Sequence, residues 1–234
     1  MRPDRAVVLA HRVVGAHGGG QGSYAEPGGG SAAGRITVDD LATAGTKVYQ
    51  AICPDSPHAA GTQEDIYRIL RDLGTIFGVA DQAAQRIEAM RQKIADVQAK
   101  IAGRPPVKVL FYGEGEGPLI TVGNAALADE MITLAGGMNV FHDSSDGYFE
   151  APLESVAATS PDVLYVNSRS SGAPFGAPDD GQAKADYLYK TFPNMPASRD
   201  RRAAFTTYLE NEPGWRFADA VENLARVLHP NAFK

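Results

Sequence analysis

The chain has 234 residues, 44% of them hydrophobic and 21% charged, with a formal net charge of −6. That is ordinary composition for a globular protein and allows one large domain or two small ones. An acidic chain without a dominant basic patch argues against nucleic acid as a partner, and Arg199, Arg201 and Arg202 beside Asp200 read as a solvated face. No apolar run approaches the ~20 residues of a membrane helix. Ala6 to Ala10, cut by His11 and Arg12, is too short for the core of a secretory signal. The single cysteine, Cys53, excludes an intrachain disulfide and a cysteine-based zinc cage, and reads as a small buried apolar side chain.

In chain order, Ala6–Ala10 predicts a short buried strand. His17 to Gly34 is rich in Gly, Ser and Ala and predicts a long loop. The 25 glycines, above the average share of ~7%, gather there and at turns. Asp39–Ala44 predicts a short helix ended by Gly45, Lys47–Ile52 a strand, and Cys53–Gly61 a turn. Thr62 opens a helix with a carboxylate, Asp65, three residues on, in the form of a capping box. Ile66, Ile69, Leu70, Leu73 and Phe77 follow at helical spacing.

The strongest periodic signal runs from Asp81 to Ala102, where Ile87, Met90, Ile94, Val97 and Ile101 alternate spacings of three and four. It predicts an amphipathic helix ~33 Å long, stopped by Gly103 and Pro105–Pro106. Beyond it the chain alternates strand and helix, which predicts a parallel α/β sheet. Val107–Tyr112 and Val163–Val166 read as buried strands, with Ile120–Val122 and Val140–Phe141 as shorter ones. Asn124 is expected to cap a helix to Leu134. Further helices are expected at Leu153–Thr159, Ala183–Tyr189 and Arg216–Leu228, with Ala203–Leu209 as a strand and its flanks and Ser168–Gly181 as a loop. Pro3–Asp4 before the first strand and Pro161–Asp162 before Val163 form a weak internal echo, consistent with two similar α/β halves.

No catalytic constellation emerges, and the chain does not read as an enzyme. Gly113-x-Gly115 follows a strand but lacks the third glycine of a dinucleotide loop, and Glu114 and Glu116 would face a pyrophosphate. Those carboxylates, two apart on an extended loop, point in opposite directions and disfavour a glycosidase-like pair. The histidines show no metal spacing. What remains is a binding surface at the carboxyl ends of the strands, where open α/β sheets hold ligands. His11 and Arg12 mark one end, Tyr112 and Glu114 a second, Asn167 and Arg169 a third, with Tyr148 and Phe149 in the loop before the Glu154 helix. An Arg and Tyr rim suits a bulky, anionic, partly aromatic ligand.

These segments together resemble the periplasmic substrate-binding proteins of iron–siderophore, haem and cobalamin ABC importers. The resemblance runs from Asp65 through Asp72-Leu73-Gly74 with Gly78, the long helix, Pro106-Val107-Lys108-Val109-Leu110 and Val122-Gly123-Asn124. It continues with Leu134-Ala135-Gly136-Gly137-Met138-Asn139-Val140, Leu153-Glu154-Ser155-Val156, Ser160-Pro161-Asp162-Val163, Ala218–Ala225 and Leu228-His229-Pro230. The resemblance implies two α/β lobes with parallel sheets joined by one long helix, the first lobe incomplete: residues 1–80 a partial N-terminal lobe, 81–104 the helix, and 105–234 the C-terminal lobe. It implies a metal chelate, foremost a ferric siderophore, with haem or cobalamin as alternatives, bound between the lobes without a resident cofactor. It implies an extracytoplasmic location, although the chain as written carries no export signal, and docking of Glu154 to arginines of the permease. The first-lobe docking glutamate and the usual preceding strands have no counterpart here. The alternative expectation is therefore a truncated, non-transporting remnant or interaction module.

Overall fold

The computed structural model describes residues 7–10, 43–45, 47–50, 61–168 and 180–234. The chain splits into two compact units, Met1–Ala59 and Ala60–Lys234. In the first, β1 (Val7–Ala10) pairs in parallel with β2 (Lys47–Gln50), Val7 opposite Lys47. The first strand stands where the apolar run placed it. The glycine-rich stretch 17–34, the 53–60 turn and most of the helix expected at 39–44 lie outside the described residues.

The second unit opens with α1 (Gln63–Ile76), and Thr62 is its N-cap: Oγ1 accepts from the Asp65 amide at 3.4 Å and donates to Asp65 Oδ2 at 2.9 Å. Ile66 and Ile69 are buried, but Phe77 is 60% exposed. The helix ends at Ile76, so Phe77 is carried off the buried stripe. A second helix, α2 (Ala80–Ile101), follows, and all five periodic residues, Ile87, Met90, Ile94, Val97 and Ile101, are buried along one face. Within the second unit α1 packs against α2, and Ile66 and Tyr67 join Ile87, Met90 and Ile94 in one core.

The sheet of this unit has the order β5–β3–β7–β8 and is parallel throughout. Its members are β3 (Val107–Tyr112), β5 (Gly137–Asn139), β7 (Val163–Asn167) and β8 (Ala203–Thr206). Both faces are covered, which explains why β3 and β7 are continuously apolar. Val109, Phe111, Val163 and Tyr165 meet α2, α3 (Leu127–Leu134) and α8 (Phe217–Leu228) on one face. Leu110, Tyr112, Leu164 and Val166 meet α4 (Leu153–Thr159), α5 (Gly181–Thr191) and the short α6 (Pro196–Arg199) on the other. The alternation follows from the two-residue period of a strand. A short α7 (Tyr208–Asn211) follows β8, closed by a capping box between Thr207 and Glu210.

Several boundaries differ from expectation. Tyr148–Ala151 is not a loop but a strand, β6, antiparallel to β4 (Leu119–Val122). Asn124 does not cap α3: its amide is taken by the Ser144 carbonyl at 2.9 Å, and Ala126 is the N-cap. Next to it, a Cβ on Gly123 would lie 2.6 Å from the Asp146 carbonyl, so this crossing of two backbones admits glycine alone. The strand expected at Val140–Phe141 sits earlier, at Gly137–Asn139, because Asn139 anchors the register. Its Nδ2 donates to the Val122 carbonyl at 3.0 Å and to Asp129 Oδ1 at 2.8 Å, while its Oδ1 accepts from the Phe141 amide at 3.1 Å. His142 Nδ1 adds a contact of 3.0 Å to the same buried Asp129 carboxylate.

Candidate functional site

At the carboxyl ends of β3 and β7, the loop 113–118 is fixed by the residues beneath it. The Gly113 amide donates to the Ile120 carbonyl at 2.9 Å, and the Ile120 amide returns a bond to the Glu114 carbonyl at 2.8 Å. Tyr112 Oη donates to the Gly115 carbonyl at 2.7 Å, and Tyr187 Oη to the Glu116 carbonyl. Gly115 has φ +93°, and a Cβ there would run into the Pro118 carbonyl, so the turn requires glycine.

Lys184 lies below this loop. Its Nζ donates to the Gly113 carbonyl at 2.9 Å and the Asn167 carbonyl at 2.8 Å, and pairs with Asp180 at 3.4 Å. Its side chain is only 10% exposed. One ammonium therefore joins the last residue of β7 and the residue that follows β3 to the N-cap of α5, a charge-assisted arrangement stronger than neutral hydrogen bonds.

The expected site residues divide into three groups. Glu114 and Asn167 come together on this face, half-buried, on either side of the Lys184 contacts. Tyr112 shares their location but not the role of a rim residue. It is 2% exposed, its hydroxyl is engaged by the loop, and burial raises its pKa well above the ordinary phenol value, so it stays neutral. Tyr148 and Phe149, being neighbours on a strand, point to opposite faces. Tyr148 is 52% exposed, with its ring edge-on to buried Phe111 at 6.1 Å, whereas Phe149 packs edge-on against Phe141 at 5.5 Å in the second core. His11, Arg12 and Arg169 lie outside the described residues. The described rim is acidic, with Glu114, exposed Glu116 and Asp180.

Lys184 and Tyr187 escaped the sequence reading. The available clue was Lys184 itself, a charge three residues after Gly181 and four before Leu188, on the buried stripe of α5. Glu154 is exposed at the second position of α4, whose N-cap, Pro152, supplies no side-chain hydrogen bond. A carboxylate there is favoured by the helix dipole. Its neighbour Leu153 approaches the loop, 3.1 Å from where a Cβ on Gly117 would stand, so Glu154 and the loop belong to one end of the unit. Among the described residues, no group of His, Cys, Asp and Glu could hold a metal ion, and no helix is long and apolar enough to cross a membrane.

A family model described as periplasmic binding protein matches residues 40–229. The chain is 30% identical over 123 residues to the vitamin B12-binding protein of Vibrio cholerae, a match covering 43% of this chain and 44% of that protein. It is 30% identical over 111 residues to the vitamin B12-binding protein of Salmonella typhimurium, covering 47% of this chain and 41% of the relative. These matches span less than half the length of the curated relatives. Among solved structures, a periplasmic binding protein from Veillonella parvula superposes with a TM-score of 0.71 at 23% identity, covering 82% of this chain and 64% of that one. An ABC-type Fe3+-hydroxamate transport system from Saccharomonospora viridis gives 0.67 at 23% identity, with 83% and 66% covered. A periplasmic haem-binding protein from Roseiflexus gives 0.66 at 23%, with 86% and 74% covered. The parallel α/β architecture is shared with all three, and the chain belongs to the periplasmic binding protein family.

Proposed function

We propose that this chain is the extracytoplasmic solute-binding component of an ABC importer, and that its ligand is a metal chelate held over the carboxyl ends of β3 and β7. The family membership carries the class of function. The observation that carries the location is the loop 113–118, fastened from below by Tyr112, Lys184 and Tyr187, so that Glu114 and Asn167 stand on a preorganised face. Rigid placement of a few polar groups reduces the entropic cost of holding a ligand. Tyr148 contributes an exposed aromatic surface nearby, and His11, Arg12 and Arg169 are the proposed complement from segments outside the described residues.

The ligand is assigned foremost to the ferric siderophores, with haem and cobalamin as the alternatives that the relatives' names support. Glu154 is proposed as a contact to an arginine of the permease, because it is exposed and makes no ion pair among the described residues. The test is a titration with a ferric hydroxamate, haem and cyanocobalamin, following the fluorescence of Trp215, the single tryptophan. One of the three saturates the quenching at micromolar concentration or below. No saturable quenching with any of them overturns the proposal.

A further inference from the structure

A buried carboxylate stands in the first turn of α3. Asp129 is 5% exposed, and among the described residues no lysine or arginine pairs with it. Asn139 Nδ2 donates to its Oδ1 at 2.8 Å. Its one described partner able to carry a positive charge is His142, with Nδ1 3.1 and 3.0 Å from the two carboxylate oxygens. A carboxylate accepts, which assigns a proton to Nδ1 whether the ring is neutral or charged. The His142 side chain is more than half exposed, so water reaches the ring and its charge follows the pH of the solvent.

His142 belongs to the segment 140–147, which leads from β5 to β6. Beyond His142 the segment crosses 123–125. The Gly123 and Asn124 amides donate to the Gly147 and Ser144 carbonyls at 2.9 Å each, and the Ala125 amide to the Asp146 carbonyl at 3.4 Å. Tyr148 follows at once as the first residue of β6, opposite Val122. Among the described residues, His142 is the one side chain of this segment that bonds a charged group of α3. The other charges around the pair are negative. Glu130 lies beside Asp129 on α3 and interacts with Asp65 of α1, and Asp143 and Asp146 stand on the segment itself. Arg68 of α1 is taken up by Asp65 at 3.4 Å. Charging the imidazole turns a neutral hydrogen bond to a buried anion into a charge-assisted one, about twice as strong.

We infer that His142 is a positioning residue: its protonated ring latches the segment 140–147 to Asp129 of α3 and so sets Tyr148 in place, most tightly in acid and more loosely as pH rises through the histidine range. That Tyr148 then meets a chelate rests on the function proposed above; the latch does not.

The test is amide exchange of the full chain across 142–148, normalised for the intrinsic pH dependence of exchange, at about pH 5.5 and about pH 8. Protection in the native chain is expected to be about threefold greater in acid. His142→Asn offers Asp129 a neutral donor in place of the ring and is expected to show equal protection at both pH values. Glu130→Gln removes the neighbouring titratable group and keeps the threefold ratio. Equal protection in the native chain, a ratio that survives His142→Asn, or one that vanishes in Glu130→Gln overturns the latch. A ferric hydroxamate, haem and cyanocobalamin are then titrated at the same two pH values. The one that binds is expected to bind the native chain about threefold more tightly in acid, relative to His142→Asn. An equal ratio in the two proteins overturns the positioning of Tyr148. With none of the three bound, the chelate reading fails, while the exchange ratio still decides the latch.

Discussion

The ammonium of Lys184 donates to the main-chain carbonyl of Asn167 at 2.8 Å, and the same nitrogen reaches the Gly113 carbonyl at 2.9 Å. The ends of β3 and β7 are thus held together by a side chain from a third element, beneath the proposed ligand face. Replacing Lys184 by Met leaves two carbonyls without their donor at a nearly buried position. We expect a loss of ~1–3 kcal/mol. At this size each kcal/mol lowers the melting temperature by about 2–4 °C. Faster amide exchange across 113–118 accompanies the loss, and Arg at this position does not restore it, because its planar fork cannot replace the three rotatable donors of the ammonium.

Asn139 predicts a second stability effect, on the β5 edge of the sheet. Its side chain satisfies the Val122 carbonyl, the Asp129 carboxylate and the Phe141 amide at once. Asn139→Ala removes a donor to a buried carboxylate and is expected to cost about 2–3 kcal/mol. Chemical denaturation at constant m-value checks it. A loss below experimental error would mean that solvent replaces the amide without penalty.

Much of this core was legible before any coordinates. The 3-4-3-4 spacing of Ile87 to Ile101 marked the buried face of α2, and the unbroken apolar runs marked β3 and β7 as strands covered on both sides. The site was less legible. A tyrosine at a strand end reads alike whether it rims a pocket or, like Tyr112, turns inward to hold a loop. Tyr148–Ala151 gave no strand pattern, because its pairing with Leu119–Val122 is decided by a partner nearly thirty residues away. Which carbonyls Lys184 meets depends on how α5 lies on the sheet, and no local rule supplies that.

Two glutamates should give opposite pH dependences. Glu222 has its pKa lowered, chiefly by the hydrogen bond from Arg226, with Nη2 2.6 Å away. Its contribution is present above the unfolded-state value, ordinarily 4.5, and is lost as pH falls through the lower folded value. Glu130 has its pKa raised, chiefly by burial. Its charge opposes folding once pH exceeds the raised folded value, and the penalty is absent below the ordinary 4.5. Glu222→Gln therefore destabilises at pH 7 and becomes neutral in acid. Glu130→Gln stabilises at pH 7 and likewise becomes neutral in acid. Melting curves of both variants from pH 3 to pH 8 check the signs.

The docking role proposed for Glu154 separates delivery from capture. Glu154 is exposed in the first turn of α4. Glu154→Gln should leave solute affinity and melting temperature unchanged and weaken association with the importer's membrane subunits, measured on those subunits in lipid nanodiscs. Equal association of the two proteins would remove Glu154 from the docking surface.

A metal chelate over the carboxyl ends of β3 and β7, as proposed, would shield the backbone beneath it. Hydrogen–deuterium exchange, with and without a saturating ferric hydroxamate, haem or cyanocobalamin, tests it most directly. The chelate that binds should slow exchange in the loop 113–118 and at Asn167–Ser168, and leave α6 unchanged. Saturable binding with no protection at those residues would contradict it.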